Sequence, residues 1–97
     1  MNRWLLVQGG TVLGTLRWSH SDQPFDYCRF EPAPAFAAVA PLFAASLRAL
    51  KADEASTFER AYKQIEALGL ALVSPDGDER IDEFLLNIDG DQAWFRS

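Results

Sequence analysis

Few residues of this 97-residue chain carry groups that do covalent or metal chemistry: one histidine, one cysteine and fourteen carboxylates. His20 lies in Trp18-Ser19-His20-Ser21-Asp22, which has the composition of a nucleophilic triad. A triad is a spatial relay with an oxyanion hole beside it, and neighbours in one polar loop do not point at one another in that relay. With a single histidine and no glycine-rich nucleophile elbow, His20 reads as an exposed loop residue. Cys28 is a nucleophile only as a thiolate, which needs a cation nearby, and Arg17 and Arg29 are the candidates. In a strand beside Asp26 and Phe30 it reads instead as a small buried hydrophobe. Asp76-Gly77-Asp78 and Asp89-Gly90-Asp91 place carboxylates on tight loops, the oxygen chemistry that holds calcium. Neither copy has the alternating ligand positions and later bidentate carboxylate of a calcium loop, and Asp-Gly is also what a hairpin turn demands. One cysteine excludes a disulfide scaffold and a cysteine-based zinc site. Gly9-Gly10 lacks the spacing and following helix of a phosphate loop. The sequence thus offers no catalytic, cofactor-binding or metal-binding residue.

What remains is a group of aromatic and arginine side chains. Trp18, Tyr27, Arg29, Trp94 and Arg96, with Phe25 and Arg17 beside them, are of the types enriched at protein interfaces. The first expectation for such aromatics is still that they fill the core or cap its ends, and the interface reading stands beside it. The chain has nine basic and fourteen acidic residues, a formal net charge of −5. Residues 1–74 hold seven of each sign, so the whole net charge sits from Pro75 onward. Such a balance repels phosphate backbones and anionic lipid, which disfavours nucleic acid and membrane surfaces, and it attracts a basic protein. The apolar runs are too short for a membrane span. Trp4-Leu5-Leu6-Val7 is too short for a secretory signal, and a lone cysteine suits a reducing compartment, so the expected location is the cytoplasm.

These side chains must be positioned by a small α+β domain. At 48% hydrophobic and 12% aromatic the chain is not disordered, and its length is that of one domain, residues 1–97. Trp4–Gln8 and Thr11–Trp18 read as strands joined at Gly9-Gly10, a hairpin signal. Gly14 inside the second run suggests a bulge or a close backbone approach. Ser19–Pro24 reads as a polar loop, and Phe25–Phe30 as a third strand. Phe36, Val39, Phe43, Leu47 and Leu50 recur at helical spacing. Pro34 and Pro41 suit first turns, so a short turn near 34–39 and a helix at 41–51 are expected, with one kinked helix as the competing reading. Ser56-Thr57-Phe58-Glu59 fits a capping box, Asp53 is an earlier candidate cap, and Phe58, Tyr62, Ile65 and Leu68 line a helix at 54–68 that ends at Gly69. Leu70–Val73, Arg80–Ile88 and Gln92–Arg96 read as strands, with Phe84, Leu86 and Ile88 facing one way and Glu83 and Asn87 the other. The order β-β-β-α-α-β-β-β implies a largely antiparallel sheet with two helices packed on one face.

Asp22-Gln23-Pro24-Phe25, Phe30-Glu31-Pro32 and Leu86-Asn87-Ile88-Asp89-Gly90-Asp91 with Ala93-Trp94-Phe95-Arg96 resemble the pattern of short bacterial proteins of unassigned function. That resemblance covers most of the chain. It rests on turn and core residues and implies no activity. The leading reading is a small non-enzymatic domain that binds another protein or itself as a homodimer, in one form an immunity- or inhibitor-like domain. The competing reading is an enzyme or ligand-binding domain with a pocket near residues 18–31, where His20, Asp22, Tyr27 and Arg29 would meet. The Asp-Gly-Asp turns are read as turns. Calorimetric titration with calcium is therefore expected to give no saturable heat, and a thermal midpoint raised by several degrees in millimolar calcium overturns that reading.

Overall fold

The structure, a computed structural model, describes residues 2–97. Three strands come first, β1 (Arg3–Gln8), β2 (Thr11–Asp22) and β3 (Phe25–Pro32). A 3₁₀ turn (Pro34–Ala38) leads into helices α1 (Ala40–Lys51) and α2 (Ala55–Glu66). Four strands follow: β4 (Leu70–Val73), β5 (Arg80–Ile81), β6 (Leu85–Asp89) and β7 (Gln92–Arg96). All seven join one sheet in the order β5-β4-β1-β2-β3-β7-β6, with every pairing antiparallel. This is the α+β arrangement that the sequence predicts.

One short connection shapes the sheet. β5 and β6 lie at opposite edges, yet Ile81 and Leu85 are only four Cα steps apart, a reach of at most about 15 Å. Six strand spacings in a flat sheet amount to about 29 Å. The sheet therefore curls, bringing its edges towards each other on the side where the helices lie. Phe84 in this connection packs against the core, and the Tyr62 hydroxyl of α2 donates to its carbonyl at 3.4 Å. The same hydroxyl accepts the Leu86 N–H at 2.7 Å. One side chain of α2 thus satisfies backbone groups at the start of the edge strand, where a buried N–H left without a partner costs about 1–3 kcal/mol.

The enclosed core takes Leu6, Leu16, Phe30, Leu72, Leu86 and Phe95 from the sheet, and Phe43, Tyr62 and Ile65 from the helices. Phe36, Phe58 and Phe84, also expected inside, are partly buried against it. On α1 the buried line is Phe43, Ser46 and Ala49, while Leu47 is half-buried and Leu50 is 41% exposed. Apolar spacing alone misplaced that line, because two small side chains sit innermost and the leucines flank them.

Local chemistry explains most boundaries. Pro41 falls in the first turn of α1, where its missing N–H costs no helical bond. Gly9, Gly69 and Gly90 take positive φ at the two hairpins and the end of α2. The capping box does not form: α2 begins at Ala55, Glu54 caps it without a side-chain bond, and Ser56 and Thr57 lie inside the first turn. Asp53 instead ends α1 in the left-handed region, at φ 56°. Ser19–Asp22 is not a loop, since β2 runs on to pair Asp22 with Phe25 and leaves Gln23-Pro24 as the turn. Its polar residues are tolerated in a strand because this arm of the hairpin extends beyond β1. Arg80–Ile88 is not one strand but two, broken where the chain crosses between sheet edges.

Gly14 is needed for a second reason besides the bulge between β1 and β2. The Phe30 ring lies directly on it, and a Cβ there would meet Phe30 Cε1 at 2.5 Å and the Glu31 carbonyl oxygen at 2.9 Å. Gly14→Ala is expected to destabilise the protein by about 1–3 kcal/mol, the usual cost of overpacking. The urea midpoint measures this, and an unchanged midpoint shows that Phe30 can move aside freely.

Candidate functional site

Antiparallel register partners share a face of the sheet, so the pairings give the layout of the side facing away from the helices. Arg3 stands opposite Arg17, Arg17 opposite Arg29, Arg29 opposite Gln92 and Gln92 opposite Asp89. One row across five strands thus contains three consecutive arginines. Two residues along, after a bulge between Trp18 and His20, the next row is His20, Tyr27, Trp94 and Asn87. Because the sheet curls around its core on the other side, both rows lie on a convex outer surface.

In the aromatic row the rings stack on one another. His20 and Tyr27 have centroids 5.0 Å apart and planes 4° apart. Tyr27 and Trp94 are 6.4 Å and 18° apart. Phe25 meets Tyr27 edge-on at 6.5 Å. The His20 and Tyr27 rings thus lie in nearly parallel planes. The Ser19 hydroxyl lies 3.0 Å from His20 Nδ1. Ser19, His20 and Arg29 border, with Tyr27, Asp91 and Gln92, an open depression of about 260 Å³. Small-molecule sites are usually about 300–1,000 Å³ and more enclosed.

The arginines are held loosely. Arg17 Nε lies 3.0 Å from Glu31 Oε1, with both side chains about half exposed. Arg29 reaches Asp91 at 3.7 Å with both side chains more than two-thirds exposed. Exposed pairs of this kind contribute about 0–1 kcal/mol each. Arg3 has no ion pair among the described residues. Like charges directly opposite one another in a sheet are destabilising, so the row is a local cost to the fold.

Of the five side chains that the sequence marks as an interaction surface, three come together: Tyr27, Arg29 and Trp94. Trp18 pairs with Cys28 and so belongs to the other face, where its indole N–H donates to Asp26 at 3.2 Å and the ring stays 43% exposed. Arg96 lines a separate depression with Leu50, Glu54 and Phe58. The curl at the β6 edge carries it towards the helices, against simple alternation. Asn87, expected on the solvent side, is buried. Arg3 was not marked, and only the register brings it level with Arg17, which was named beside the group; His20, expected to meet Tyr27 and Arg29 only in the competing pocket reading, does border the open depression with them.

No catalytic relay forms at His20. Its ring stacks on Tyr27, while the Ser21 hydroxyl donates to Asp26 Oδ1 at 2.6 Å on the opposite face. The first Asp-Gly-Asp turn consumes its own carboxylate. Asp76 Oδ1 accepts the Ser74 hydroxyl at 2.6 Å and the Asp78 N–H at 3.0 Å, which together hold the carboxyl below its ordinary range. Among the described residues no three His, Cys, Asp or Glu side chains gather as a metal site, and no helix is long and apolar enough to cross a membrane. The chain matches no family model, no curated protein and no solved structure.

Cys28 is buried at the base of this region. Burial, with the Asp26 charge adding to it, pushes its thiol from 9.0 up to about 12. The protonated form is thus favoured by folding. Its contribution is whole below pH 9 and is lost as pH rises through the folded value. The urea midpoint of the wild type is expected to fall more steeply between pH 8 and pH 11 than that of Cys28→Val. Parallel curves overturn the assignment.

Proposed function

We propose that this chain is a non-enzymatic protein-interaction domain that works through the convex outer face of its sheet. The observation that carries the reading is the pair of adjacent rows on this face, one of exposed arginines and one of stacked rings, exposed at His20 and half-buried at Tyr27 and Trp94. Neither row serves the core, and the arginine row weakens the sheet that holds it. An immunity- or inhibitor-like domain, which covers another protein's surface, is the form of this function that asks least of the site. It needs no reactive group. The cytoplasm is its proposed location, in keeping with a single cysteine that has no partner in the chain.

Asp76, Asp78, Glu79, Asp82 and Glu83 are exposed along the β4–β5–β6 connections, where a basic partner would approach. The outer face carries both signs, with Glu31, Asp89 and Asp91 among Arg3, Arg17 and Arg29. The competing reading, a ligand pocket near residues 18–31, is served less well by an open depression of about 260 Å³.

Site-specific photo-crosslinking tests the proposal. A photoreactive residue at Tyr27 or Gln92 is expected to give discrete protein adducts in cells that make the protein. One at Glu59, on the exposed side of α2, is expected to give none. An adduct of twice 10.8 kDa identifies the partner as a second copy. Equal labelling at all three positions, or none at Tyr27 and Gln92, overturns the proposal.

A further inference from the structure

β2 is the longest strand of the sheet, and its far end has a neighbour on one side only. Among the described residues, β1 pairs with β2 from Thr11 to Arg17, and the Asn2 carbonyl accepts the Trp18 N–H at 2.6 Å. From His20 to Asp22 the strand pairs with β3 alone. Along an antiparallel strand the N–H and C=O groups of successive residues turn alternately to the two sides. On β3, Phe30 donates its N–H to the Asp91 carbonyl on the β7 side, so Cys28 and Asp26 face β7 as well. Ser21 stands opposite Asp26, so its own N–H and C=O point away from β3. Trp18, opposite Cys28, has the same orientation, for its N–H is the one that reaches Asn2. Ser21 therefore presents a donor and an acceptor side by side on an open edge.

That edge is held in shape by its own hairpin. The Ser21 hydroxyl and the Trp18 indole N–H both donate to Asp26 Oδ1, at 2.6 and 3.2 Å. The outermost strands of the sheet offer less. β5 is two residues long, and α1 packs beside β6, where Phe43 and Leu47 border a depression with Ile88 and Asp89.

We infer that this edge is where two copies of the chain join, β2 against β2 about a twofold axis centred on Ser21. In that antiparallel register each Ser21 N–H donates to the other's carbonyl, which closes a reciprocal pair. One residue to either side, His20 stands opposite Asp22 of the second copy, and the twofold makes this contact twice. His20 and Asp22 share a face of the strand, since their partners on β3 are Tyr27 and Phe25. The Ser19 hydroxyl lies at His20 Nδ1, which leaves Nε2 for the opposing carboxylate, and Asp22 has no ion pair among the described residues. Register pairs without backbone hydrogen bonds bring side chains closest, and these two are complementary. On the other face the Trp18 ring, 43% exposed, lies diagonal to Ser21 of the second copy. An unrelated strand satisfies Ser21 but brings neither a carboxylate opposite His20 nor an imidazole opposite Asp22. A contact this short is smaller than a standard interface, so association is expected only towards millimolar protein. Both outer rows stay uncovered, so failure of this pairing and failure of the interaction reading above are separate results.

Dilution of the whole ¹⁵N-labelled protein from millimolar to micromolar tests the inference. Amide shifts are expected from Trp18 to Gln23 with none along α2, and the Ser21 amide is expected to exchange with solvent more slowly in the concentrated sample. His20→Asp sets carboxylates against one another and is expected to weaken association about fivefold or more. His20→Asp combined with Asp22→Lys is expected to restore it. On mild oxidation Ser21→Cys is expected to give a linked dimer of twice 10.8 kDa, because like residues face each other across the axis. Asp22→Cys, set opposite His20, is expected to link more slowly, and the native Cys28 is buried and takes no part. All three positions are exposed, and an unchanged amide spectrum elsewhere shows that a variant has kept its fold. No concentration dependence up to millimolar protein, shifts centred on another surface, or equal linking by the two cysteine variants overturns the inference. So does a threonine–valine octapeptide that shifts Ser21 as strongly as a second copy, since the edge would then accept any strand.

Discussion

The three-residue connection from Asp82 to Phe84 constrains everything else in the molecule. It must join the two edges of a seven-stranded sheet, and a flat sheet would put them about twice as far apart as it can reach. Curling the sheet brings the edges together and gives it an inside and an outside. The inside is closed by α1 and α2. Tyr62 fixes the closure, since its hydroxyl donates to the Phe84 carbonyl in the connection and accepts a hydrogen bond from the Leu86 N–H in the strand beyond it. Were the connection ten residues longer, the same strands could lie flatter, and neither the enclosed core nor the convex surface would be required.

That curvature decides which side chains can meet. On the inside, large residues from distant strands converge, so Leu6, Phe30, Leu86 and Phe95 share one core. On the outside, neighbouring strands splay their side chains, and contact is confined to residues in direct register. Arg3, Arg17 and Arg29 are such residues, and so are His20, Tyr27 and Trp94. At the β6 edge the curl is sharp enough to carry Arg96 and Leu85 round to the helices. Alternation predicts a face correctly only where the sheet is not bending.

Element type and order were legible because turn chemistry and periodicity agreed for most segments. Gly9-Gly10, Gly69 and Asp89-Gly90 each mark a boundary with a positive-φ residue in the expected place. The capping box failed as a signal because hydroxyl and acid residues are equally at home inside a first helical turn, and nothing in Ser56-Thr57-Phe58-Glu59 says which. Ser19–Asp22 looked like a loop because its composition is polar, but a hairpin arm that reaches beyond its neighbour needs no apolar face. The interaction surface was half legible. Residue types pointed to Tyr27, Arg29 and Trp94, and the pocket reading put His20 with them across a local hairpin, whereas Arg3 joins them only through the register of β1 on β2, which has no signature in its own segment.

The two outer rows also bear on what kind of recognition this fold can support. A row of like charges in register is a cost that sequence change could remove at once: a threonine at Arg17 would relieve the repulsion and suit the strand better. Stability therefore does not explain the row. Catalysis does not explain it either, for the groups beside it are stacked rings, with the one thiol buried and held protonated. The depression that His20, Tyr27 and Arg29 border is open and small, so it encloses a ligand less well than a cleft would. What a face with exposed arginines and stacked rings does offer is a surface another macromolecule can cover, with charge setting the approach. Carboxylates stand among those arginines, Glu31 beside Arg17 and Asp91 beside Arg29, so a partner that covers the face must exchange these loose pairs for contacts of its own, and the match of those contacts sets its specificity.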